Sequence, residues 1–496
     1  PSLHENIVHG NSLIDYDIMD GQLFDGRDLK KLNPMSFKDT FPDVFANGGF
    51  DAIVGNPPYV RQEGLKNEIK SYFQKHYATY HGVADLYVYF IERYMSLLRK
   101  NGEFGIIVGN KWLRTAYGKP LRNWLKKFQI GEIVDFGILP VFHGATTYTC
   151  ILRAEKSDMV QGFTVTRADS LDFSSVSLHE QVAQLGFELL PTSLSDDGWS
   201  LNDETTQELI KKLSRKSVRL KEYVGGKLYY GIKTGLNEAF VVDGATRKRL
   251  IEEDSRSAEI IKPFLVGKDI SRYNAPRSDV FVLFTRRGIK IDEYPAIKNY
   301  LEQFKASLTP KPRDWDDKVK WKGRKPGTYQ WYEIQDTVDY FEMFEETKIL
   351  WPGISGEVTA FALDVERYYG NDNNQLIVTD SKYALGILNS SVSRFFLKSV
   401  CDKVQGGFYR LKMIYVEQLP IRTIDFDNPT EKAMHDRVVG LVEKMIEAKK
   451  SLSQARTDSD RTFYERLTHS LDNQIDDLVY QLYDITPDER KMIEGN

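Results

Sequence analysis

The chain has 496 residues, 41% of them hydrophobic and 28% charged, with a formal net charge of −4. That length exceeds what one core serves, so two to four domains are expected, and the balance is globular rather than disordered. Its apolar runs are too short to span a membrane, and Cys150 and Cys401 alone provide neither a disulfide framework nor a thiolate metal site.

In chain order, Ile7-Val8 reads as a strand edge running into the polar turn Gly10-Asn11-Ser12-Leu13. The next apolar run, Phe50-Asp51-Ala52-Ile53-Val54-Gly55, stops at Asn56-Pro57-Pro58-Tyr59. Two successive prolines lack the backbone N–H groups that a buried strand needs, so the strand ends there in a stiff loop. The loop displays an amide, a carbonyl and an aromatic ring together. The Asn56 side-chain oxygen and the Pro57 carbonyl can each accept one N–H of an exocyclic amino group while Tyr59 stacks on its ring. The nitrogen lone pair is then left free to attack a methyl donor. The alternative is an ordinary strand-to-loop turn.

Ala84 to Leu98 carries apolar residues at helical spacing and is closed by Asn101-Gly102. Phe104 to Val108 reads as a buried strand, Leu121 to Phe128 as a helix, and Glu132 to Phe136 and Thr149 to Leu152 as strands. The alternation indicates an α/β domain over residues 1–155, and parallel sheets place ligands at the carboxyl ends of their strands. Residues 156–205 lose periodicity, become rich in Ser and Asp, and are expected to connect. Residues 206–424 mix short strands, helices and turns in an α+β pattern. Residues 425–496 read as an antiparallel helical hairpin turning within Ser451 to Asp460. Its faces are Met434, Val438, Leu441, Val442, Met445 and Ile446 on one side, and Phe463, Leu467, Leu471, Ile475, Leu478 and Leu482 on the other. A capping box at Thr486-Pro487-Asp488-Glu489 opens a last helix.

The net charge does not announce nucleic-acid binding, but a local stripe does. Lys311, Arg313, Lys318, Lys320, Lys322, Arg324 and Lys325 outnumber Asp314, Asp316 and Asp317, and Trp315 and Trp321 are interleaved. A solvated loop is the plainer reading of such a run.

Phe50 to Tyr59, then Asp85-Leu86-Tyr87, then Gly102 to Leu113 resemble the amino-methyltransferases of type II restriction–modification systems. The closest likeness is to the group in which methylation and DNA recognition share one polypeptide, often behind a nuclease domain. Gly231-Ile232-Lys233-Thr234-Gly235-Leu236-Asn237-Glu238-Ala239-Phe240 resembles the opening of that group's TaqI-like specificity domain, and Leu385 to Ser390 with Gln418-Leu419-Pro420 its closing segment. The resemblance implies a partial Rossmann-like methyltransferase domain, an α+β DNA target-recognition domain and a C-terminal helical hairpin.

It further implies that Asn56 and Pro57 hold the amino group of a flipped-out adenine, with Tyr59 and Phe142 on its two faces. Phe142 lies in Val141-Phe142-His143-Gly144. Asn11, Ser12, Asp85 and Tyr87 match positions lining the pocket for S-adenosylmethionine. Double-stranded DNA is the expected partner, with Lys233, Thr234, Lys268, Arg272, Lys320, Lys322, Arg324, Asn373, Asn374, Lys403 and Arg410 as candidate contacts, and Gly406-Gly407 as a point of close approach. The setting is cytoplasmic.

One departure stands out. The family's Gly-rich donor loop, ahead of the position of Asn11, is absent, and Val134-Asp135-Phe136-Gly137-Ile138 lacks the second glycine. The expectation is therefore a C-terminal part of a longer enzyme with an incomplete donor site, preceded by further catalytic sequence and a nuclease domain or subunit. Two rival readings remain: a DNA-recognition fragment without catalysis, and a protein glutamine methyltransferase. No nuclease motif occurs in the chain itself.

Overall fold

Alternating apolar residues in β2 (Leu98–Gly109) bury Phe104, Ile106 and Val108 on one face, and the strand lies inside a six-stranded sheet. The computed structural model describes residues 7–20, 26–142, 147–196, 198–274, 278–316, 319–356, 358–404 and 407–495. Two units divide between Gln207 and Glu208.

In the first unit the sheet order is β1-β2-β4-β3-β5-β6, with β1 Phe50–Gly55, β3 Gln129–Asp135, β4 Thr149–Glu155, β5 Phe163–Arg167 and β6 Phe187–Leu189. β1 pairs parallel with β2 and β3 parallel with β5; β4 runs antiparallel between β2 and β3, and β6 antiparallel to β5. The sheet is therefore mixed rather than purely parallel. A parallel return from β3 to β4 would need a crossover helix, which the described part of segment 136–148 does not contain. The carboxyl ends of β1, β2, β3 and β5 still share one edge of the sheet. β1 is an outer strand, and its Val54 is 87% exposed.

Helices α1 (Asn67–His76), α2 (Tyr87–Leu97) and α3 (Lys119–Leu125) surround this sheet. α2 turns Tyr87, Val88, Ile91 and Met95 inward at the spacing that one helix face requires. Two expectations fail here. Ile7-Val8 forms no strand and is exposed; Asn11 makes only an isolated bridge with Pro34. Residues 156–205 are no mere connection, because they supply β5, α4 (Leu178–Leu185) and β6 to the sheet. The alternation in Phe163-Thr164-Val165 is too short to stand out among Ser and Asp, though α4 does start with a Ser177–Glu180 capping box.

The second unit holds a sheet of order β14-β9-β10-β8, a sheet of order β13-β11-β15-β7 and a small sheet of order β12-β17-β16. These strands are β7 Leu228–Tyr230, β8 Val241–Asp243, β9 Ile261–Leu265, β10 Val280–Leu283, β11 Lys348–Pro352, β12 Ile354–Ser355, β13 Ala362–Asp364, β14 Tyr369–Gly370, β15 Asn374–Val378, β16 Asp402–Val404 and β17 Phe408–Arg410. Helices α5 (Lys382–Asn389) and α6 (Ser391–Val400) follow β15.

The hairpin forms from α7 (Pro429–Gln454) and α8 (Asp458–Leu482), and α9 (Pro487–Glu494) opens with the expected capping box. Val438, Val442, Met445, Leu471, Ile475 and Leu478 are buried with Leu385, Leu388 and Trp351 in one core. The hairpin thus shares its core with the α+β part instead of standing apart. Phe463 departs from its expected inward face and is 60% exposed, lying beyond the end of the shared core.

Candidate active site and nucleic-acid interface

β1 delivers the Asn-Pro-Pro-Tyr loop at its carboxyl end. A Cβ at Gly55 would lie 2.3 Å from the Tyr94 hydroxyl, so glycine is what lets α2 approach the strand this closely. Beyond it Asn56 is exposed, Pro57 buried, Pro58 exposed and Tyr59 half-buried. The loop is pinned again downstream, where Leu86 N donates to Val60 O at 2.8 Å and Gln62 N to Ala84 O at 3.2 Å. The fully buried Gln62 side chain locks this pairing. Its Nε2 donates to His81 O at 2.6 Å, and its Oε1 accepts the Tyr89 hydroxyl at 2.7 Å. Held at both ends, the four residues start from a narrow set of conformations.

Tyr59 meets Phe142 edge to face at 5.8 Å and the Tyr87 ring at 6.1 Å. Burial, with a smaller contribution from Cys150, pushes its phenol up to about 12, so the ring is neutral at physiological pH and acts as an apolar plate. Its hydroxyl is buried with no hydrogen-bond partner among the described residues. His143 and Gly144, quoted beside Phe142, lie outside the described residues.

Two side chains not singled out from the sequence, Tyr117 and Asn110, support this corner. Tyr117 donates to Asp85 Oδ2 at 3.0 Å and shares a 2.8 Å hydrogen bond with the Tyr87 hydroxyl. Asn110, directly after β2, donates from Nδ2 to Asp135 Oδ1 at 2.8 Å, and Gly137 N donates to the same oxygen at 3.0 Å. A strand followed by a polar residue, as in Val108-Gly109-Asn110, was the available signal for Asn110. Nothing local marks Tyr117.

The positions matched to the methyl donor fit it unevenly. Tyr87 is 1% exposed and its hydroxyl is committed to Tyr117, so it backs Tyr59 rather than offering a polar contact. Asp85 and Asn11 are part-exposed, and Asn11 Oδ1 accepts from Leu13 N at 3.2 Å. Ser12 O accepts from Arg93 Nε at 3.2 Å, which ties that turn to α2, and Ser12 is part-exposed. No group of metal-ligating side chains occurs among the described residues.

In the second unit the structure gathers five candidate contacts on neighbouring loops. Ile232 bridges Asn371, which brings Lys233 close to Asn373; Gly353 N donates to Asn373 O; and Ile354 pairs with Arg410, which pairs with Asp402 beside Lys403. Gly267, next to Lys268, packs near Asn374 and Pro352. Lys233, Lys268, Asn373, Lys403 and Arg410 are all exposed, as are Lys320 and Lys322 on their own loop.

Four expected contacts are withdrawn. Arg324 is 4% exposed and donates to the carbonyls of Leu308, Thr234, Glu333, Gln330 and Trp331, with Tyr329 stacked 4.4 Å away. Thr234 is buried and gives its hydroxyl to Asn237 Oδ1. Asn374 is buried and donates to Leu265 O, and Arg272 is bidentate to Asp472 on α8. Each side chain is spent on partners inside the protein. Lys318 and Gly406 lie outside the described residues.

An α/β unit whose β1 ends in Asn-Pro-Pro-Tyr, with Tyr59 edge to face against Phe142, is followed by an α+β unit with exposed basic loops. Residues 5–142 match the Eco57I restriction-modification methylase family and residues 262–421 the TaqI-like C-terminal specificity domain. The chain is 26% identical to the type II restriction enzyme and methyltransferase RM.Eco57I of Escherichia coli, over 98% of this chain and 50% of that protein. It is 26% identical to the type II methyltransferase M.BstVI of Geobacillus stearothermophilus, over 79% of this chain and 71% of that one. The fold also resembles the type IIL restriction-modification enzyme MmeI, solved in complex with DNA, with TM-score 0.54, 14% identity and coverage of 88% of this chain and 54% of that chain. The chain is a homologue of the type II restriction–modification methyltransferases and joins their methylase and specificity domains, while spanning half the length of the Escherichia coli relative. No helix among the described residues is long and apolar enough to cross a membrane.

Proposed function

We propose that this chain methylates the N6 amino group of an adenine flipped out of duplex DNA at a specific sequence, in a cytoplasmic restriction–modification system. The observation that carries the reading is the exposed Asn56 at the carboxyl end of β1, three residues from a Tyr59 ring set against Phe142. An amide oxygen, a proline carbonyl and an aromatic plate suit a planar ring bearing an amino group.

Adenine in a duplex keeps that amino group in its base pair, so extrusion comes first at a cost of a few kcal/mol. Stacking on Tyr59 and two N–H bonds, one to Asn56 Oδ1 and one to the Pro57 carbonyl, offset this cost. The same two bonds favour a more tetrahedral nitrogen, closer to the transition state than to planar adenine. S-adenosylmethionine would supply an electrophilic methyl group on its sulfonium, and Asn11, Ser12 and Asp85 would hold it. As the new N–C bond forms the methyl–sulfur bond would break, leaving a neutral thioether and a positively charged nitrogen, which then gives its proton to solvent, since the protonated Tyr59 phenol is no base.

The second unit contacts the DNA through Lys268, Asn373, Lys403 and Arg410 in the groove or along the backbone, with Lys233, Lys320 and Lys322 on phosphates. Any cutting activity belongs to a nuclease domain or subunit other than this chain. Mapping methylated bases in DNA from cells expressing the gene tests the reading: N6-methyladenine at one motif supports it, and methylated protein with unmodified DNA sinks it.

A further inference from the structure

The loops Gly231–Gly235 and Asn371–Gln375 touch backbone to backbone. A Cβ at Gly231 would lie 1.9 Å from Asn371 O, and one at Gly353 would lie 2.9 Å from Asn373 O, so neither glycine tolerates a side chain there. Their main-chain groups are nearly all spoken for. Gly231 N donates to Asn374 O at 2.8 Å, Ile232 N to Gly370 O at 2.7 Å, Asn371 N to Leu265 O at 3.1 Å and Gly353 N to Asn373 O at 2.5 Å. Asn373 N donates to Asn371 Oδ1 at 3.2 Å. Lys233 is clamped through its own backbone: its N donates to Asp336 Oδ2 at 3.1 Å and its O accepts from Asp336 N at 3.2 Å.

Three exposed side chains stand on this stiff base: Lys233, Asp372 and Asn373. None of them makes a side-chain hydrogen bond or ion pair among the described residues. An internal structural role would have given them partners, as it does for the neighbouring buried Asn371 and Asn374, whose amides bond to the backbone. Polar side chains left free on a backbone that cannot shift are what a recognition surface requires, since little ordering remains to be done on binding.

We propose that Asn373 and Asp372 are base-reading side chains, with Lys233 holding an adjacent phosphate; this rests on the DNA-binding reading above. The chemistry separates the three roles. A carboxylate only accepts and is repelled by phosphate, so Asp372 fits an exocyclic amino group, cytosine N4 or adenine N6. The Asn373 amide carries a donor and an acceptor side by side and matches the N7 and N6 edge of adenine in the major groove. A Lys233 contact to phosphate is made by a point charge and carries no sequence information.

The test selects binding sites from a randomised duplex pool with the unsubstituted chain and with Asn373→Ala, Asp372→Ala and Lys233→Ala. The unsubstituted chain should select one motif. Asn373→Ala and Asp372→Ala should each keep it except at one base pair, where discrimination falls on the order of tenfold to a hundredfold. Lys233→Ala should weaken all sequences alike and reduce the salt slope by about 1. Thermal melting should be unchanged in all three, because their side chains hold nothing internally. A motif unchanged at every position in Asn373→Ala and Asp372→Ala, or a loss uniform across sequences, overturns the assignment. Failure of the unsubstituted chain to select any sequence overturns the DNA-binding reading, and the assignment with it.

Discussion

Tyr117 donates its single hydroxyl hydrogen to Asp85 Oδ2 at 3.0 Å, and its oxygen meets the Tyr87 hydroxyl at 2.8 Å. With the Tyr117 hydrogen given to a carboxylate, Tyr87 must be the donor of the second bond. Asp85 also bridges Arg61 through the backbone, and the Tyr87 ring backs Tyr59. Tyr117 therefore steadies both the exit of the Asn-Pro-Pro-Tyr loop and the floor under its aromatic ring.

Tyr117→Phe leaves the buried Tyr87 hydroxyl without an acceptor and should cost about 1–3 kcal/mol. Chemical denaturation followed by tryptophan fluorescence measures this. Adding Tyr87→Phe should recover part of the loss, since the stranded hydroxyl is then gone. A single variant as stable as the original chain would remove Tyr117 from this role.

Arg324 and its neighbours Lys320 and Lys322 should part company when each is replaced. Arg324→Ala removes a donor from five backbone carbonyls, of which only Thr234 O and Gln330 O keep a backbone N–H among the described residues, so a destabilisation above about 3 kcal/mol is expected, in the range of broken buried networks. Lys320→Ala with Lys322→Ala should change stability by less than about 0.5 kcal/mol. The same pair should flatten the dependence of DNA affinity on salt. Urea melts and binding titrations at several salt concentrations distinguish the two behaviours.

Asp476 on α8 accepts from Ser391 N at 2.7 Å and from the Ser391 hydroxyl at 2.6 Å, at the start of α6. Burial nonetheless holds its carboxyl above the ordinary range, with Asp472 adding to the shift while the Ser391 bonds and Arg272 oppose it. A folded value above the unfolded one, about 3.9, means stability that is whole below that pH and is lost as pH rises through the folded value. Asp476→Asn should therefore raise the melting temperature near pH 7, with the gain shrinking toward pH 4. A gain that grows in acid would show that the carboxylate is net stabilising.

Much of this architecture was legible in the chain because its signals are local. A proline pair ends β1, a short apolar run marks the core of β2, and helical spacing gives α2, α7 and α8 with a capping box for α9, although the Asn101-Gly102 stop expected after α2 falls inside β2. Asn56 and Tyr59 stood out since their residue types and spacing carry the chemistry themselves. What stayed hidden depends on partners distant in sequence. Arg324 reads as one more cation of a basic stripe until Thr234 and Leu308 are seen to surround it. Tyr117 becomes visible only when α2 is folded beside it. β5 and β6 are strands because a sheet edge is there to receive them, which five residues among Ser and Asp cannot announce.

The central claim is that Asn56 grips the amino group of an extruded adenine, and its most direct test is the methylation pattern written by the protein in cells. The gene as it is found should produce N6-methyladenine at one sequence motif, and Asn56→Ala should lower that methylation about a hundredfold or more, by analogy with loss of one preorganised hydrogen bond at a reacting centre, at equal protein abundance. Methylation by Asn56→Ala at the wild-type level would contradict the account.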